Sequence, residues 1–255
     1  KVSFKSIKKL EGGIFMAYVH DEDLEFLGEC THKQLENLAK IIIYDTDGKI
    51  RRTEEVTKTS EYKKYGEYYN IYWKILVADF QKFGGNTFIN LFRNAGVMYD
   101  EILNDILLLK DTFFLKQKKI SIFKKEELLL RIAISIILDD MKIDNKKSLV
   151  KNLELNVSNY NSSTILKSIN TKLLENNLFF EYQLSNTILE YIVKNRIDYI
   201  LLRKISTTLG IPLASVNITD NVLGEAKRVT IPASIIIACL RRISNYEKRG
   251  KKENE

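Results

Sequence analysis

At 255 residues the chain can bury a sizeable core without disulfide staples, and its two cysteines, Cys30 and Cys239, are too few and too far apart for a disulfide framework or a CxxC metal site. Hydrophobic residues make up 45%, and only two prolines and eleven glycines punctuate the chain, which favours an all-helical protein in a reducing cytoplasm. The net charge of +7 sits mostly at the ends: residues 1–15 and 241–255 carry +3 each and everything between sums to +1, so net charge alone does not argue for a nucleic-acid groove.

The first fifteen residues stand ahead of Met16. Glu11-Gly12-Gly13 back-translates to the purine-rich core of a bacterial ribosome-binding site, so residues 1–15 read as an upstream read-through or a disordered segment. A targeting peptide fits less well, because KVSFKSIKKL lacks the apolar core that a secretory signal needs. Residues 16–52 read as a short N-terminal helical domain. Asp21 starts a short helix with Leu24, Phe26 and Leu27, and Thr31 with Gln34 forms a capping box for a second one through Leu35, Leu38 and Ile42. Tyr44 to Arg52 reads as a turn. Asp45-Thr46-Asp47-Gly48 resembles the opening of a calcium loop, but its glycine comes too early and no glutamate follows at the required offset, so a plain Asp-Gly turn is favoured.

A central helical domain is expected over 53–143. A helix over Glu67–Phe83 places Tyr69, Trp73, Leu76, Phe80 and Phe83 on one face; Gly84 ends it, and Asn86 or Thr87 caps a following helix with Phe88, Leu91 and Phe92. An anion nest at that second helix is the alternative, but GGNT matches neither phosphate-loop pattern, so Gly84 and Gly85 read as a structural joint. Val97, Ile102, Leu103, Ile106 and Leu107 continue the core within Gly96–Lys110, and Ser121 opens a helix through Leu128, Leu129, Ile132, Ile136 and Ile137. Arg131 interrupts that apolar run, which is too short to span a bilayer, where about 20 residues are needed.

Residues 144–163, rich in Asn, Lys and Ser, read as a polar connection ahead of a C-terminal helical region over 164–243. Helices are expected over Thr164–Leu174 and Ser185–Thr208, with Gly210–Glu225 irregular. The last helix is expected to start near Thr230 as its cap, with Pro232 in the first turn, and residues 244–255 to form a basic disordered tail. The whole reads as an all-α, irregular multi-helix bundle of about eight to ten helices.

Three blocks carry a family resemblance: Met16-Ala17-Tyr18 with DEDLEFLGECTHKQL, the stretch from Trp73 to Leu107, and AKRVTIPASIIIACLRR from Ala226 to Arg242. Together they resemble the YaaW-like family of uncharacterised bacterial proteins, grouped with the ubiquinol-cytochrome c chaperone family and carrying a short N-terminal domain of unknown function. The resemblance implies a pattern held here by Trp73, Phe83, Gly84, Gly85, Asn86, Arg93, Tyr99, Arg228, Thr230, Pro232 and Arg241. Most of these are expected to be architectural. Arg93 and Arg228 could grip a carboxylate or phosphate bidentately, though a salt bridge to Asp79, Asp100 or Asp105 is favoured. The resemblance also implies a glycine-rich apolar hairpin before RVTIP, whereas Leu209–Glu225 here is short and polar, which weakens any membrane-inserting role.

Catalysis is the least supported class. Only His20 and His32 are available as imidazoles, and Asp139-Asp140 reads as a solvated helix end. Neither a cofactor nor a metal is expected. The favoured reading is a non-enzymatic protein-interaction module, chaperone-like in assembly of a membrane complex. It rests on the resemblance and on the crowding of Tyr62, Tyr65, Tyr68, Tyr69 and Tyr72. The alternative is a peripheral binder of anionic membrane or nucleic acid, using KKYGEYYNIYWK and the basic tail. The expected location is the cytoplasm, including the inner face of the membrane.

Overall fold

A computed structural model of the protein describes residues 18–45, 47–85, 96–108, 120–195 and 222–252. The expectations for residues 1–15, for Asn86, Thr87 and Arg93, and for the connection at 210–221 fall outside these. The described residues are helical with short turns and contain no β-strand, only an isolated bridge between Tyr44 and Ile50. They fall into two compact units: 18–108 with 222–233, and 120–195 with 234–252.

In the first unit α1 (His32–Ile43) begins at the expected capping box, with Thr31 and Gln34 satisfying each other's backbone amides. Leu35, Leu38, Ala39, Ile42 and Ile43 are its buried stripe. The Asp45–Gly48 segment is a turn: Gly48, at φ +79°, donates to the Asp45 carbonyl, and the Arg51 guanidinium closes on Asp45 at 3.0 Å. α2 (Ser60–Tyr65), capped by Thr59, stops at Gly66, whose φ of +56° breaks the helix. The expected single helix over 67–83 is therefore two elements, a 3₁₀ turn at Tyr69–Tyr72 and α3 (Trp73–Gly85). The three-residue period of the turn buries Tyr69 and Tyr72 on one side.

Gly84 does not end α3. It lies inside the helix, where a Cβ would come within 2.6 Å of Ile102 and 2.7 Å of Val97, so the missing side chain lets α4 (Tyr99–Leu108) pack close. Asp21 does not start a helix either. A turn follows it and a 3₁₀ helix spans Glu25–Glu29, while the buried Asp21 carboxylate accepts the Tyr99 N–H at 2.6 Å and so caps the first turn of α4.

In the second unit Ser121 caps α5 (Ile122–Asp140), as its sequence implies. The polar stretch after it is only partly a connection, because α6 (Ile143–Asn152) occupies its first half. Leu149 and Val150 are buried, a stripe too narrow to stand out in so polar a sequence. α7 (Ser162–Leu174) packs on α5, and α8 (Leu178–Asn195) packs on both. α8 starts well before Ser185 because Asn177 accepts the Phe180 N–H and caps it there.

The last helix, α9 (Val222–Lys252), begins before Thr230 and continues into the segment expected to be disordered. Pro232 lies in its interior instead of its first turn, and Thr230 is a buried helical residue rather than a cap. Ala226, Val229, Ile231 and Ala233 are all at most 1% exposed, and burial of this face offsets the backbone bond that proline cannot make. Its residues up to Ala233 belong to the first unit and those from Ser234 to the second.

Candidate functional site

Several buried polar groups sit on otherwise apolar helix faces. In the first unit Gln81 is fully buried, and its side-chain amide accepts the Val19 N–H at 3.0 Å and donates to the Val19 carbonyl at 2.8 Å. With the Asp21–Tyr99 contact this ties the N-terminal segment to α3 and α4. Two residues earlier on α3 the buried Asp79 carboxylate accepts the Glu55 N–H at 2.8 Å, and Lys82 bridges to Glu55 at 2.5 Å. Burial pushes the Asp79 carboxyl up to about 6, with the Glu55 amide and Lys82 pulling it back.

The aromatic groups of this unit divide between inside and outside. Trp73 stacks edge-on against Tyr18 at 5.7 Å, presses on Gly28 and carries Lys74 over its ring at 5.3 Å. Phe83 and Tyr99 are core residues, and Tyr99 meets Phe80 at 6.1 Å. Tyr69 and Tyr72 are buried, whereas Tyr68 and Ile71 stay 59% and 52% exposed. The Ile71 N–H donates to the Tyr68 carbonyl, so these two side chains lie one 3₁₀ turn apart on the outward side. His32 packs against the Tyr68 ring at 5.3 Å.

The second unit holds a four-residue charge cluster. The fully buried Glu126 of α5 accepts from Arg241 Nε at 2.9 and 3.1 Å and from Arg242 Nη1 at 3.2 Å. Arg242 also reaches Glu181 of α8 at 3.6 Å, donates to the Ala238 carbonyl and lies 4.4 Å from the Phe123 ring centre. Burial raises the Glu181 carboxyl above its ordinary range, opposed by Arg242. Glu181, Ser185 and Arg242 line a void of about 10 Å³, room for about one water molecule. Burial also pushes the neighbouring Cys239 thiol up to about 12, which leaves it protonated and a poor nucleophile at neutral pH. Two guanidiniums facing two carboxylates in so little space make a charge-balanced tie of α5, α8 and α9. Among the described residues no group of three or more His, Cys, Asp or Glu is arranged to hold a metal ion.

The positions singled out by the sequence are thus scattered. Trp73, Phe83, Gly84 and Tyr99 gather around α3 and α4, Gly85 is the last residue of α3, and Asn86 and Arg93 lie outside the described residues. Arg228 makes no salt bridge to Asp79, Asp100 or Asp105; Asp79 is taken by Lys82 and the Glu55 amide, and Arg228 Nε is buried without a hydrogen-bond partner. Arg241 reaches both oxygens of Glu126 from its single Nε–H, at 2.9 and 3.1 Å. Glu126 and Arg242 were not singled out, and Asp21 was read only as a helix start. Glu126 left a trace in the sequence, since it shares its helix face with Leu130, Ala133 and Ile137, a charge in a core register.

Residues 18–52 match the family described as "Domain of unknown function (DUF3944)". The chain is similar to a UPF0174 protein of Helicobacter pylori strain J99, 28% identical over 93% of this chain and 97% of the relative. It is also similar to UPF0174 protein YaaW of Escherichia coli K12, 29% identical over 89% of this chain and 96% of that protein. No solved structure matches.

Proposed function

We propose that this chain is a non-enzymatic helical module that binds another protein through the outward side of the turn at Tyr68–Ile71. The observation that carries this reading is the division of that turn. Tyr69 and Tyr72 anchor its backbone in the core, and Tyr68 and Ile71, each more than half exposed, are carried outward on it. A tyrosine and an isoleucine fixed in this way lose little conformational freedom when a partner covers them, which is the character of interface anchors. The narrower role, chaperone-like help in assembling a membrane complex from the cytoplasmic side, rests on the family resemblance. No described helix is long and apolar enough to cross a membrane.

The test is recovery of partners on the tagged chain at low and high salt, with a Tyr68→Glu/Ile71→Lys variant alongside. The reading predicts a protein retained at high salt and weakened at least about thirtyfold by the double variant. A partner held equally by both proteins, or released by salt from both, would contradict it.

A further inference from the structure

We infer that the void lined by Glu181 and Ser185 of α8 and Arg242 of α9 is a binding site for a single water molecule, which joins the two helices as a fixed part of the second unit. The inference concerns that unit alone and does not depend on the reading of the Tyr68–Ile71 turn.

Glu181 and Ser185 stand one helical turn apart, so their side chains leave α8 on the same face. Both are buried, and among the described residues neither Glu181 Oε2 nor Ser185 Oγ has a hydrogen-bond partner. The Cys239 thiol is a polar neighbour of Ser185, but a thiol is a weak partner for a hydroxyl. From α9, Arg242 Nε lies 3.6 Å from Glu181 Oε2, too far for a good direct N–H···O bond. A buried carboxylate oxygen, a buried hydroxyl and a guanidinium with bonding capacity to spare thus border one void of about 10 Å³. Leu130 and Ile134 of α5, Leu173 of α7 and Leu184 of α8 form its apolar walls and offer these groups no partner.

The chemistry of the lining selects water. The charged side chains around the void, Glu127, Arg131, Glu181 and Arg242, cancel, so an ion would bring an uncompensated charge among leucine and isoleucine side chains. A cation cannot accept from the guanidinium, and an anion cannot donate to the carboxylate. Water does both and exchanges a third bond with the hydroxyl, which is the usual number for a buried water, and the volume is about what one water centre requires.

Oxygen-17 magnetic relaxation dispersion of the full chain counts the waters that stay bound for longer than the protein takes to tumble. Wild type is compared with Ser185→Val, which removes the hydroxyl and fills the void with a methyl group; far-UV circular dichroism and urea unfolding check that the variant is folded. A crystal structure of the wild type then locates the molecule. The inference predicts one long-lived water fewer in the variant, and wild-type density within about 2.6–3.2 Å of both Glu181 Oε2 and Ser185 Oγ, with the Arg242 guanidinium as third partner. An equal water count in two folded proteins, a bound ion at the site, or a wild-type crystal structure in which Glu181 bonds Arg242 directly and the void is dry would overturn it. Should the variant not fold, the wild-type crystal structure alone decides.

Discussion

Asp79 shows how one buried carboxyl couples this fold to pH. Burial dominates its environment and raises it from an ordinary value of 3.8 to about 6, so the native state holds this proton more tightly than the unfolded chain does. The contribution of Asp79 is therefore fully favourable below about pH 3.8 and is lost as pH rises through 6. Asp79→Asn keeps an oxygen for the Glu55 amide and cannot ionise. Urea unfolding of both proteins should show the variant gaining about 2–3 kcal/mol on the wild type between pH 4 and pH 7.5. A constant difference between the two would contradict the burial account. Glu126 is more deeply buried still, and two guanidiniums meet it there.

Among the elements, α3 and α4 illustrate what the sequence can and cannot disclose. The apolar spacing through Leu76, Phe80 and Phe83 and through Ile102, Leu103 and Ile106 identifies both helices and their inner faces, because period alone carries that information. It does not reveal what a glycine near a helix end is for. A left-handed cap and a close helix contact use the same residue, and only the packed partner distinguishes them. Here Gly84 meets Ile102 and Val97, so Gly84→Ala should destabilise the protein by about 1–3 kcal/mol despite alanine's better helix propensity, as read by thermal or denaturant unfolding. An unchanged or raised midpoint would contradict the contact.

The same limit explains Pro232 and Asp21. Proline marks a helix start by local rule, and burial of the preceding turn overrides that rule at Pro232. Asp21 caps a helix that begins 78 residues later, a partnership that no local pattern encodes. Glu126 and the Arg241-Arg242 pair are likewise more than a hundred residues apart, so the charge in a core register was visible but its partners were not.

At the scale of the whole molecule, two compact helical units carry different surfaces. The first exposes Tyr68 and Ile71; the second carries the stacked rings of Tyr182 and Tyr246 with half-exposed Phe179 beside them. The helical class of the chain was legible from its scarce prolines and its apolar periods, and the curated relatives extend over nearly its full length. The outward turn was only half legible. The sequence showed a tyrosine cluster and put Tyr69 on the inner face with Trp73, but it did not disclose the separate turn at Tyr69–Tyr72 that precedes α3. The most direct test is in-cell photo-crosslinking from a benzoylphenylalanine placed at Ile71, with the same probe at exposed Lys40 of α1 as reference. The account predicts one discrete protein adduct from position 71 that is absent from position 40 and lost when Tyr68→Glu is added; no adduct from 71, or the same adducts from both positions, would contradict it.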